Sequence, residues 1–147
     1  MDSPGIRIIK QFEQCELEAY LDQGGIPTIG WGHTGPEVHL GLTWTQEHAD
    51  AILVQDVAMA RYAVRNPLNP KIFHDLTENQ REALTSFAFN IGAGKFASST
   101  LVKLANQGNI AAIPAQMLRW VHVNGAVSAG LERRRKAEVA LFEQASS

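Results

Sequence analysis

One cysteine, Cys15, is all the chain has, so no internal disulfide can form, and the protein fits a fold made under reducing conditions. A nucleophilic thiol needs a base within hydrogen-bond reach; none is indicated close to Cys15 in sequence, and it reads as a partly buried thiol. No run of about eighteen uncharged apolar residues occurs, which excludes a membrane-spanning helix. The start, Met1-Asp2-Ser3-Pro4-Gly5, lacks a basic segment and an apolar core, so it does not read as a secretion signal. Action outside the cytoplasm would then need a separate route of release. The five histidines, His33, His39, His48, His74 and His122, form no HExxH and no close pair on one helical face, so neither a metal nor another cofactor is expected. A dense basic stripe with interleaved aromatics is missing too, which speaks against nucleic acid as a partner. There is no repeat, low-complexity tract or linker.

What is present is enough apolar residue, 45% of 147, for one domain with a substantial core; a monomer without stable membrane association is the expectation. Ile6, Ile9 and Phe12, with Ile8 beside them, have helical spacing, and Pro4 suits a first turn, which predicts a helix over 4–13. Residues 18–40 are short segments punctuated by glycine, with Gly24-Gly25 as hairpin turn. From Thr45 to about Arg65, Ala49, Ile52, Leu53, Val57, Ala60 and Val64 share one stripe, and Pro67 and Pro70 end it. Such a helix would run about 30 Å, enough to bridge two lobes. Thr77-Glu78-Asn79-Gln80 offers a capping box for a helix ending at Gly92 and Gly94. Ser98 or Ser99 caps a short helix up to Gly108, another covers Ile110 to Val121 with Pro114 in its first turn or at a kink, and Asn124 to Gly130 is a loop. The last, about Leu131 to Gln144, presents Arg133 to Lys136 as a charged face. The fold class is α+β, mostly helical with one small antiparallel sheet near the N-terminus: a lobe over about 14–60, and a helical lobe over about 61–147 joined by helix 4–13.

The net charge of −2 conceals an asymmetry: residues 1–75 hold five Lys+Arg against ten Asp+Glu, net −5, and residues 76–147 hold eight against five, net +3. A basic C-terminal half can face an anionic polymer, or be an ordinary solvated surface.

The stretch from Glu13 to His33 states a chemistry. Glu13 falls on the last helical turn, while Asp22 and Thr28 follow on extended segments. Two carboxyls held apart, one donating a proton and one ionised, are what glycosidic bond cleavage requires. Partial burial favours a carboxyl that keeps its proton at neutral pH, which suits Glu13, and a wetter place suits an ionised Asp22. Gly30 and Gly32 either leave room for a sugar chain against the backbone or mark bends in a small sheet. Trp31 can stack a sugar ring or fill the small lobe.

Glu13, eight residues, Asp22, five residues, Thr28, then Ile29-Gly30-Trp31-Gly32-His33 resembles the catalytic signature of the phage-type lysozymes, glycoside hydrolase family 24. Tyr20, Gln55-Asp56-Val57, Phe89-Asn90-Ile91-Gly92, Arg119-Trp120, and Gly130-Leu131 followed by an arginine run and Glu138 extend the match over nearly the whole chain. The resemblance implies a muramidase cleaving the β-1,4 bond between N-acetylmuramic acid and N-acetylglucosamine in peptidoglycan. It makes Glu13 the general acid, with Asp22 and Thr28 positioning the water. It implies a structural ion pair between His33 and Asp56, a sugar contact at Asn90, and an arginine beside the glutamate, best matched by Arg134 with Arg133 and Arg135 as close rivals. It further implies accumulation in a host cytoplasm, holin-dependent release and action on the wall from the periplasm. Gln14-Cys15 departs from the family, where glycine commonly follows the glutamate. A lytic transglycosylase and a noncatalytic wall-binding module remain the alternatives.

Overall fold

Ser3 accepts a hydrogen bond from the Ile6 amide and Pro4 fills the first turn, so helix α1 (Pro4–Glu13) starts almost at the N-terminus. The computed structural model describes residues 1–145. Gln14, with φ 55° and ψ 154°, turns the chain out of α1 and into strand β1 (Glu16–Leu21). β1 pairs antiparallel with β2 (Pro27–Gly30), Tyr20 opposite Thr28 and Leu21 opposite Pro27, with a register shift between Glu16 and Tyr20. Thr45 caps the twenty-residue helix α2 (Gln46–Arg65), which turns Ala49, Leu53, Val57, Ala60 and Val64 inward.

The helical part then follows as α3 (Pro70–Asp75), α4 (Glu78–Ile91), α5 (Ala93–Ala97), α6 (Thr100–Asn106), α7 (Ile113–Met117) and α8 (Ala129–Glu143). Thr77 and Gln80 close a reciprocal capping box at the start of α4. Residues 82–88 of α4 are buried all round the helix, so α4 is the axis on which α1, α2, α5 and α8 pack.

Three expectations are corrected. Residues 110–121 do not form one helix: a 3₁₀ turn (Ile110–Ala112) leads into the five-residue α7, with Pro114 in its first turn. The stretch 124–130, expected as a loop, instead supplies the turn and second strand of another hairpin, β3 (His122–Val123) with β4 (Ala126–Val127), and the start of α8; the turn residues Asn124 and Gly125 both have positive φ, 51° and 81°. The charged face expected at Arg133–Lys136 is split: Arg133 and Lys136 are exposed, whereas Arg134 and Arg135 point into the core.

The fold is α+β. The main core gathers Leu84 and Phe87 of α4 with Phe96, Leu101, Ile113, Met117 and Phe142, each worth about 1.5–3 kcal/mol of burial. A small cluster under the first hairpin holds Ala19, Ile29 and Val38 against Leu42 and Trp44. Ile9, Leu53 and Val57 form a third, flanked by Ile6, Trp31 and Phe89. α2 supplies Val64 to the main core and Leu53 and Val57 to the third. Among the described residues, no helix is long and apolar enough to cross a membrane.

Candidate active site

The end of α1 and the first hairpin meet over a cleft of about 1320 Å³. Glu13, Tyr20 and Asp22 line one side, and Asn90, Trp120 and Arg134 the other. Glu13 sits against the backbone of Gly32, where a Cβ would come within 2.9 Å of Glu13 Oε1; Gly32 also has φ +84°. Only glycine therefore lets the carboxylate lie there. Asp22 is held by its own turn, Oδ1 accepting from the Gly24 and Ile26 amides at 2.8 Å each, which leaves Oδ2 outside the turn. Thr28 is buried, its hydroxyl donating to the Ile26 carbonyl at 2.8 Å, and it is not part of the cleft lining. The Tyr20 hydroxyl is pushed above its ordinary value by burial and by the carboxylates of Glu13, Glu16 and Asp22 around it.

Behind Glu13 lies a buried ionic network. Arg134 donates through Nη1 to Glu13 Oε2 at 3.3 Å, through Nε to Glu138 Oε2 at 3.2 Å and through Nη2 to the Ser86 carbonyl at 3.2 Å. Arg135 donates to Glu138 and to the Asn90 side-chain oxygen, and through Nε to the Trp120 carbonyl at 2.9 Å. Its guanidinium carbon lies 4.9 Å from the Phe87 ring centroid. Burial lowers Arg135 from its ordinary value, Glu138 working against this and Arg134 adding to it. Ser86 completes Glu138 with a 2.6 Å hydrogen bond. Among the described residues, no buried side-chain polar atom lacks a partner, as so many buried charges require.

On the far side of the hairpin, His33 stands between two carboxylates, Nδ1 2.6 Å from Asp56 Oδ2 on α2 and Nε2 2.6 Å from Glu37 Oε1. Burial works against the charged ring, but the hydrogen bonds it donates to Glu37 and Asp56 outweigh it, and His33 is raised above its ordinary 6.5. Glu37 is correspondingly lowered, first by its bond to His33.

Of the residues singled out in sequence, Glu13, Asp22, Asn90 and Arg134 are brought to the cleft, and Thr28 lies beneath it in β2. Trp31 is not in the lining. Its indole donates to Asp50 Oδ1 at 2.9 Å, Lys10 Nζ stands 5.3 Å from its ring, and it packs on Ile9, Leu53 and Val57; of its two readings the packing one fits. Arg134, not Arg133 or Arg135, contacts Glu13. The sequence reading missed Glu37 and the pairing of Arg135 with Asn90. Arg119 and Trp120 both line the cleft, and Trp120 also packs against the main core, edge-on to Phe87. Only the four-residue spacing from His33 to Glu37 signalled any of these.

The family model described as "Phage lysozyme" matches residues 10–138. The endolysin of Acyrthosiphon pisum secondary endosymbiont phage 1 is 41% identical over 145 residues, covering 96% of each chain. Among solved structures, the muramidase domain of SpmX from Asticaccaulis excentricus superposes with a TM-score of 0.84 at 36% identity, covering 98% of this chain and 97% of that one. The endolysin from Escherichia coli O157:H7 phage FAHEc1 gives 0.81 at 35% identity, covering 97% and 92%.

Proposed function

Since the chain belongs to the phage lysozyme family, we propose that its cleft is where an endolysin-type glycoside hydrolase cleaves peptidoglycan, with Glu13 as general acid, Asp22 handling the water and Thr28, expected to share that task, holding the segment beneath it. The bond cut is the β-1,4 linkage from N-acetylmuramic acid to N-acetylglucosamine. The observation that carries this is the shared cleft: Glu13 at a rigid helix end, and Asp22 facing the same volume from a hairpin turn that occupies only one of its oxygens.

Glu13 gives its proton to the leaving glycosidic oxygen as the bond to the anomeric carbon breaks. Asp22, ionised, takes a proton from a water that attacks that carbon, and Thr28 fixes the segment under it through the Ile26 carbonyl. Asn90 and Arg134 flank the acid on the helical wall, Asn90 held by Arg135. The chain acts as a single catalytic unit and a monomer, its lobes spanning about 14–60 and about 61–147 with helix 4–13. It is made in a host cytoplasm and reaches the wall through a membrane lesion opened by a holin-like protein.

Replacing Glu13 by glutamine keeps the shape and removes the proton. Glu13→Gln is expected to lower the rate of clearing of outer-membrane-permeabilised cells by at least about a hundredfold. Equal clearing by variant and wild type would end the assignment of Glu13 as the acid, and no clearing by either would leave a wall-binding module. Product mass separates the remaining enzyme reading. Hydrolysis leaves reducing ends, whereas a lytic transglycosylase leaves anhydro ends lighter by about 18 mass units, because the sugar's own hydroxyl replaces water as nucleophile.

A further inference from the structure

The buried cluster behind Glu13 contains two arginines and one carboxylate. Arg134, Arg135 and Glu138 are all 3% exposed or less, so their formal charges leave one positive charge in the core, directed at Glu13. A carboxyl beside an unbalanced cation is driven toward its ionised form, the wrong state for a proton donor. Taking Glu13 as the acid, we propose that Glu138 is a positioning residue: it offsets one of the two positive charges and takes hydrogen bonds from both arginines, so that Glu13 can still carry a proton when substrate arrives.

The geometry supports this through the arginine donors. Arg134 spends Nε on Glu138 and Nη2 on the Ser86 carbonyl, and has only Nη1 left for Glu13, a single bond at 3.3 Å in place of a two-pronged pair. Arg135, the second cation, never reaches Glu13; Glu138, Asn90 and the Trp120 carbonyl take its donors. Ser86 fixes the Glu138 oxygen that Arg134 uses. Other groups face Glu13 without settling the balance. The hairpin brings Tyr20, whose hydroxyl feels Glu13, Glu16 and Asp22 alike, and Asp22 in the cleft, and from α4 the uncharged Asn90 lines the cleft. On α1, Lys10 is paired with Asp2 at 3.0 Å. Lys95, Arg119, His122, Arg133 and Lys136 line the wider cleft.

Two single substitutions then have opposite effects. Glu138→Gln leaves two uncompensated arginines, and Arg135→Gln leaves Arg134 balanced by Glu138. A charge added or removed at this range, at an effective dielectric of about 20, moves a carboxyl by about one pH unit. The experiment follows the Glu13 carboxyl by carbon-detected NMR against pH, its resonance identified by loss in Glu13→Gln, together with the upper limb of kcat/KM against pH. Glu138→Gln should move both readouts down by about one unit, Arg135→Gln should move both up, and the double variant should return them to within a few tenths of wild type. Shifts of the same sign, no shift, or a double variant that fails to restore the wild-type value would overturn the proposal. If Glu138→Gln does not fold, Arg135→Gln decides alone: a rise supports, and no rise or a fall refutes. The NMR arm reads the carboxyl whether or not it is the acid, and full activity in Glu13→Gln would remove the catalytic reading without touching the charge balance.

Discussion

Gln14, directly after Glu13, adopts φ 55° and ψ 154°, a combination that costs any residue except glycine about 1–3 kcal/mol. Gln14→Gly should therefore raise stability by about 1 kcal/mol after the extra chain entropy of glycine is discounted, read as a higher midpoint in urea unfolding. An unchanged or lower midpoint would mean that the Gln14 side chain makes good its strain. At this scale sequence reasoning was at its weakest. Three consecutive arginines look like a solvated face because periodicity cannot tell a charge aimed at water from one paired underneath. Glu138 held the missing information, lying four residues from Arg134 and three from Arg135 on α8. Trp31 shows the reverse: an aromatic in a catalytic signature that serves packing and a hydrogen bond to Asp50.

Among the elements, the bend from His33 to Glu37 is tied to α2 by the pair of His33 with Asp56, which gives this junction a pH dependence of definite sign. His33 is raised in the folded state, so its contribution is complete below the unfolded value near 6.5 and disappears as pH rises through the folded one. Glu37 is lowered, so its share is present above its unfolded 4.5 and is lost as pH falls through the folded value. The melting-temperature gap between wild type and His33→Asn should thus be widest at mildly acidic pH and narrow toward alkaline pH; a gap that widens there would contradict the ion-pair account. The long elements were legible beforehand, since α1, α2 and α4 carry caps and apolar stripes in their own residues. The short ones were not. A two-residue strand has no periodicity, and only Asn124-Gly125 betrayed the second hairpin. The five-residue α7 owes its place to Ile113 and Met117 in the main core.

Across the whole molecule, the division of charge read from the sequence reappears as a division of the cleft. Glu13 and Asp22 stand on the wall from the acidic half, and Lys95, Arg119, Arg133 and Lys136 stand on the wall from the basic half. An anionic polymer lying in the cleft would meet cations along one flank and the reacting carboxyls on the other. The general outline, helices around a small sheet, followed from hydrophobic spacing; the clustering of α2 side chains in more than one core did not, because spacing names the buried face without naming its neighbours. That sharing by α2 has a thermodynamic corollary. Neither core can melt while the other keeps the helix wound, so scanning calorimetry should record one endotherm, its measured heat matching the van't Hoff value, instead of two partly resolved peaks.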